Sequence, residues 1–369
     1  MSTGTEPETQ SKTDQELRAL EAELPSAART VRELPNWAPW ALLGGVVVVV
    51  GGGALALGAS IGLAVVAAFV VYAVALYATS RVIEGPRKGT DRLVTVLVTA
   101  AFLLAMLPLV SVIFTVLSNG AARFDATFFT NSMRGVVGQG GGGYHAILGT
   151  VVITALAALM SIPVGLLTAV YLVEYGKGKL SRAITFFVDV MTGIPSIVAG
   201  LFAFALFALF LGPGVRMGFA GAVALSVLMI PVVVRSTEEM LKIVPNELRE
   251  ASYALGVPKW RTILKVVVPT SIAGIASGIT LAVARVIGET APLLIAVGIT
   301  TGVNLNPFDS RMATLPVFSY YSYVAPGVPR EPFIDRAWTA ALVLIVLVMI
   351  LNLAARLIAR LFAPKTSGR

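Results

Sequence analysis

The chain has 369 residues, 56% of them hydrophobic and 13% charged, with a mean hydropathy of +0.85 and a formal net charge of +8. Soluble domains carry about 25% charged residues, so the composition predicts an all-α integral membrane protein. The basic residues recur in short segments between apolar runs rather than in one patch, which argues against nucleic acid as a partner. With no cysteine and one histidine, His145, the chain excludes disulfides, thiolate chemistry and its own multi-histidine metal site.

Residues 1–36 hold seven acids and four basic residues. That mixture is unlike a secretory signal and predicts a polar cytoplasmic tail, within which "DQELRALEAEL" (14–24) can form a short amphipathic helix. A bilayer core needs about 20 apolar residues in helix. Eight candidate spans follow, near 38–57, 61–80, 93–117, 146–173, 185–211, 219–236, 270–298 and 338–361. "GAS" (58–60) joins the first two into a tight hairpin whose Gly- and Val-rich texture suits close packing. Four Lys and Arg lie in 81–92, three in 177–182, five in 237–266 and four in 356–369. The alternate loops are poorer for their length. With eight spans every basic loop falls on one side, so both termini, including the tail 364–369, are assigned to the cytoplasm.

"GQGGGGYH" (138–145) follows no predicted strand and reads as a flexible exterior turn. "YGKGKLS" (175–181) lacks the spacing of a nucleotide-binding P-loop. Glu174 and Tyr175 beside it sit at the membrane interface and call for no special role. Asp189 lies near the cytoplasmic end of its span, where it can cap or orient "GIPS" (193–196). Arg235 opens the longest basic loop and reads as a topological charge.

That loop, 244–269, divides into two short amphipathic helices. Asn246 can cap the first, with Glu247 and Glu250 in its opening turn. Gly256 ends it, and Pro258 suits the first turn of a second helix that stops before Pro269. Tyr253, Leu255 and Trp260 are left available to a partner, although a loop lying on lipid headgroups satisfies the same composition.

"ARVIGETAPLL" (284–294) sets Arg285 and Glu289 inside an otherwise apolar segment. A charge at membrane depth costs about 2.5–3.5 kcal/mol on insertion scales. A helix starting after Pro269 carries Arg285 roughly 24 Å along its axis, past the midplane. The i, i+4 spacing puts both charges on one face. Pro292 cannot donate to the Gly288 carbonyl, and Gly288 leaves room for a ligand or helix. Two readings compete: a structural ion pair, or a pair lining a water-accessible path.

Glu250-Ala251-Ser252, three residues, Gly256, nine residues and Val266-Val267-Val268-Pro269 resemble the EAA loop of prokaryotic ABC-importer permeases. Ser252 stands where that pattern has a second alanine. The resemblance makes 244–269, with Glu250, Ala251, Ser252, Gly256, Val257 and Pro258, a coupling element that docks on a separate ATPase. "GGGGYHAILGT", "DVMTGIPSIVAGLF", "IPVVVRSTEEML", "LREASYALGVPKWRTI" and "ARVIGETAPLL" resemble, in order, stretches of the PstA-type permeases of phosphate importers.

The likeness runs over about 93–363 and implies a polytopic bundle with a six-helix permease core. An extra two-helix hairpin and its basic loop (37–92) precede that core. It further implies a PstC-like second permease, two cytoplasmic ATPase subunits, an extracytoplasmic phosphate-binding protein and a prokaryotic cytoplasmic membrane. ATP and Mg belong to the ATPase, so this chain needs no cofactor and is not itself an enzyme. Arg285 and Glu289 are the residues the family implicates in phosphate passage, with Gly288, Pro292 and Asp189 structural near the path. A guanidinium fork suits phosphate oxygens, and Glu289 either accepts the P–OH proton or holds Arg285. Sulfate or molybdate is the nearest rival cargo. An ion-coupled carrier has no need of an ATPase-docking loop, and no histidine cluster, cysteine or paired acidic motif supports a membrane enzyme.

Overall fold

The computed structural model describes residues 34–362. The predicted helix at 14–24, the tail up to residue 33 and the tail 364–369 lie outside the described residues. Among those described, helices form every regular element. Seven helices are long and apolar enough to cross a bilayer, and one sharply bent pair makes an eighth candidate.

Residues up to Ser111 form one compact unit and those from Val112 a second. In the first, α1 (Ala38–Ala56) and α2 (Ile61–Ile83) make the predicted hairpin. Gly58 turns it with φ +64°, and Ser60 Oγ accepts from Leu63 N at 3.4 Å to cap α2. After α2 the chain turns into α3 (Pro86–Gly120). Glu84 in that turn is enclosed by donors: Arg92 Nε at 2.7 Å and Nη2 at 2.8 Å, Ser80 Oγ at 2.6 Å and Leu34 N at 2.9 Å. The hydrogen bonds from Arg92, which outweigh the cost of burial, hold its carboxyl down at about 2.

The second unit is built on α8 (Gly218–Ile243), which follows a short α4 (Ala126–Thr130), α5 (Tyr144–Val170), α6 (Lys179–Thr192) and α7 (Ser196–Leu211). Helix α8 packs on α5 and on α11 (Val268–Ile287). It buries Leu225, Met229 and Val233 against Ile153, Ala157, Ala282 and Val286. Small residues set these distances. A Cβ on Gly165 would lie 2.6 Å from Val233 Cγ1, and one on Gly278 would lie 2.5 Å from Ser236 Oγ. Without a hydrophobic drive between helices in lipid, such close backbone approach is what gives contact area. Between α8 and α11 come α9 (Asn246–Ala254) and α10 (Lys259–Thr262). After α11 follow α12 (Ala291–Ala296), α13 (Leu315–Val324) and α14 (Glu331–Phe362).

Four expectations change. The span 185–211 is two helices bent by 107°, parted at Gly193–Pro195. Pro195 has no N–H to give and disfavours helix at Ile194, which accounts for the break. The span 270–298 also breaks, as described below. The second loop helix does not stop before Pro269. It runs from Lys259 through a π-turn at Ile263–Val267 into α11, with Val268 N–H donating to Ile263 O, so the wider turn lies directly before Pro269, where a regular α-helix would meet the proline ring.

The glycine-rich stretch 138–143 is not a flexible turn. Arg336 Nη1 donates to Gly138 O and Gly140 O at 2.8 Å each, and Arg123 Nη2 donates to Gly141 O at 3.0 Å. A Cβ on Gly142 would fall 2.6 Å from Phe128 O. The motif's tail is equally packed: Thr150 Oγ1 accepts from Leu315 N at 2.8 Å, and a Cβ on Gly149 would sit 1.9 Å from Ala313 O.

Candidate functional site

Helix α11 ends at Ile287, so Arg285 lies in its last turn, where a cation meets the negative end of the helix dipole. Gly288 caps the helix, Glu289 lies between the helices, Thr290 stands at the N-cap of α12, and Pro292 enters the first turn of α12, where its missing N–H is not needed. Glu289 N still reaches Val286 O at 3.1 Å. The pair therefore does not share a helix face, because the i, i+4 relation assumes a helix that stops between them. Arg285 is exposed and Glu289 half-buried. Among the described residues Arg285 makes no ion pair with Glu289 or any other carboxylate. A Cβ on Gly288 would meet nothing within 4 Å, so the space beside the break is open.

The second break packs against the first. Gly200 of α7 lies so close to α12 that a Cβ there would be 2.6 Å from Pro292 Cα. Ala199 and Ala203 of α7 join Leu293, Ala296 and Val297 in the main core. "GIPS" and "GETAP" thus yield two short helices, α7 and α12, packed on each other. Asp189 is not among them. It pairs from α6 with Arg235 of α8, which also holds Glu238 at 2.8 Å, while Lys242 reaches the same Glu238 at 2.7 Å.

At the other end of α8 and α11, the two loop helices form. Gly256 adopts φ +73°, Gly256 N donates to Tyr253 O at 2.9 Å and Val257 N to Ser252 O at 3.2 Å. Those two bonds are the Schellman pattern that closes α9. Pro245, not Asn246, stands at the N-cap of α9; Asn246 is its first helical residue, and its Oδ1 accepts from Arg249 Nη1 at 3.3 Å. Ser252 is buried and its hydroxyl meets that of Thr262 at 2.8 Å, joining the two helices. Glu250, Ala251, Gly256 and Pro258 are exposed and Val257 half-buried. Tyr253, Trp260 and Leu255 stand out beside them, Leu255 at 83% exposure.

Arg249 was not singled out from the sequence, yet it anchors this loop. Its Nε lies 3.0 Å from Glu174 Oε1, Nη1 donates to Val244 O at 2.6 Å and Nη2 to Leu241 O at 2.9 Å. It thereby satisfies carbonyls that the end of α8 leaves open. Glu174 sits in a π-turn at the end of α5, Tyr171–Tyr175; Lys259 donates to its carbonyl and lies 4.7 Å over the Tyr175 ring. The available signal was a lone acid closing an apolar span opposite a basic loop.

Two broken spans and a projecting two-helix loop define a class. The chain belongs to the family described as binding-protein-dependent transport system inner membrane components, whose pattern matches residues 161–368. Within that family its relatives are PstA permeases. It is 48% identical over 275 residues to the phosphate transport system permease protein PstA 1 of Mycobacterium tuberculosis (strain CDC 1551 / Oshkosh), covering 74% of this chain and 89% of the relative. It is 46% identical over 293 residues to PstA of Mycobacterium leprae (strain TN), covering 78% and 94%. A solved bacterial ABC transporter involved in the import of the acidic polysaccharide alginate matches with a TM-score of 0.51. That match covers 73% of this chain and 96% of that chain at 13% identity, a likeness of fold alone.

Proposed function

We propose that the chain is the membrane permease subunit of an ATP-driven importer of inorganic phosphate, lining the path together with a second, PstC-like permease. The observation that carries the reading is Arg285, exposed at a helix break with no carboxylate paired to it among the described residues. A structural ion pair would have neutralised this charge within the chain. An unpaired guanidinium at membrane depth is costly unless a ligand or water-filled cavity meets it, and its planar fork matches two oxygens of a tetrahedral oxyanion. Glu289, free of Arg285, is left to accept the P–OH proton that hydrogen phosphate carries and sulfate lacks near neutral pH.

The exposed face of Glu250, Ala251, Gly256 and Pro258 is the proposed seat of one of two ATPase subunits, which hold ATP and Mg. The Lys and Arg distribution assigns that loop, and both termini, to the cytoplasm of a prokaryotic cell. An extracytoplasmic binding protein delivers phosphate on the opposite side. Coupling has a direct physical route. Lys259–Ile287 is one helical run of 29 residues, about 40 Å at 1.5 Å per residue. Displacement at its loop end is felt at Arg285.

Labelled-phosphate uptake by proteoliposomes carrying the assembly with Arg285→Gln tests this. Uptake is expected to fall at least ten-fold at normal complex levels, with only partial rescue by Arg285→Lys, whose point charge lacks the fork. Wild-type uptake by Arg285→Gln contradicts the assignment.

A further inference from the structure

His145 is the only histidine in the chain and is 2% exposed, yet neither Nδ1 nor Nε2 has a hydrogen-bond partner. Its ring stands edge-on to Phe318, with centroids 5.3 Å apart. Buried polar groups left unpaired are uncommon, and each one asks for a ligand or ordered water. The imidazole lines a cavity of about 140 Å³ that Thr300, Thr301, Tyr321 and Ser322 also line. Thr301 is exposed, so this cavity opens to the surface. At roughly 30 Å³ for each water in the liquid, it has room for several waters or one tetrahedral oxyanion.

A second observation favours an anion. Arg336 is fully buried, has no carboxylate within 4 Å among the described residues, and leaves Nε and Nη2 unpaired. Its guanidinium stacks 4.4 Å over the ring of Phe333, and Phe333 lines the same cavity. The guanidinium, with no carboxylate in contact among the described residues, therefore stands behind the Phe333 wall of the cavity that the unpaired imidazole also lines.

We infer that this cavity is a binding site for a protonated tetrahedral oxyanion, distinct from Arg285 and Glu289, with His145 as its specificity-determining residue. Above about pH 7 a free imidazole is neutral and offers one donor and one acceptor. Hydrogen phosphate presents the matching pair, an acceptor oxygen and a P–OH donor. Sulfate presents acceptors only, and would leave the ring's acceptor nitrogen facing an oxygen lone pair. The hydroxyls of Thr300, Thr301, Tyr321 and Ser322 rotate to suit either role. Helix α5, which starts at Tyr144, ends in the π-turn that meets the 244–258 loop, so the cavity lies at the opposite end of the bundle from that loop. On the proposed orientation, phosphate arriving from outside meets His145 before it meets the ATPase side. The choice of ligand rests on the phosphate reading; the site itself rests on the unpaired groups.

The lone histidine makes its own probe. The full chain, carried on a histidine-free tag and labelled with nitrogen-15 at histidine, is assembled with unlabelled partner subunits in nanodiscs at pH 7.5. Inorganic phosphate is expected to shift the imidazole resonances saturably. Hydrogen arsenate, with the same donor and acceptor, should do likewise, and sulfate at equal ionic strength should not. In uptake, His145→Leu is expected to raise the phosphate KM at least three-fold with kcat retained, and His145→Gln, which keeps one donor and one acceptor, to restore it. Resonances unmoved by phosphate, as for a cavity holding water alone, or moved equally by sulfate, overturn the site. Wild-type phosphate uptake with no imidazole shift refutes this site and leaves the cargo standing. A shift without uptake refutes the cargo alone.

Discussion

Arg249 shows how much one side chain does at the base of the loop. It binds two main-chain carbonyls at the end of α8 and the buried carboxylate of Glu174. Removing one member of a buried pair leaves the other uncompensated, which costs on the order of 3 kcal/mol. Arg249→Gln is expected to lower the Tm and to separate ATP hydrolysis from transport. Measured together, hydrolysis should persist while uptake per ATP falls several-fold; an unchanged ratio would show that the contact plays no part in coupling. Gly256 was legible in the sequence because φ +73° is strained for other residues. Ser252, where the EAA pattern has alanine, keeps its buried hydroxyl satisfied by Thr262 within the loop. Arg249 was hidden because a single arginine in a basic loop carries no periodicity and its partner lies 75 residues away.

At the scale of elements, apolar length located the spans and proline chemistry explains their breaks. Length alone could not reveal those breaks. The stretches 185–211 and 270–298 each read by length and apolar content as one span, whereas Pro195 and Gly288–Pro292 divide each into unequal helices. Pairing Arg285 with Glu289 by i, i+4 failed for the same reason. Contact between the two breaks depends on Gly200, so Gly200→Val must push α7 off Pro292. Overpacking of this kind costs roughly 1–3 kcal/mol. The variant should reach the membrane with a lowered Tm and reduced phosphate uptake; an unaltered Tm and uptake would mean that the contact is dispensable.

The turn before α3 gives a pH-dependent prediction. Glu84 is held at about 2 in the folded chain against an ordinary 4.5. A depressed carboxyl contributes its stability fully above the unfolded value and loses it as pH falls through the folded one. Glu84→Gln should therefore melt below wild type at pH 7 by roughly 1.5–3 kcal/mol, the worth of hydrogen bonds to a charged group. The gap should close between about pH 4.5 and 2. A gap that stays constant over that range would mean that the charge is not what Arg92 and Ser80 stabilise.

Across the whole molecule, the family match begins at residue 161, so the hairpin of α1 and α2 lies outside it and folds within its own compact unit. The second unit sets an exposed two-helix tip at one end of a helical run and, at the other, Arg285 with no ion pair among the described residues. That arrangement is what the proposed coupling element and the proposed oxyanion path require. Composition could announce a membrane bundle, but the link between its ends became visible only with the π-turn that carries the helix past Pro269. The proposed function requires that ATP hydrolysis on one side be coupled to phosphate on the other. The most direct measurement is ATP hydrolysis by the reconstituted assembly with phosphate-loaded or sulfate-loaded binding protein. Hydrolysis is expected to be several-fold faster with the phosphate-loaded form; equal rates with the two would refute the phosphate assignment.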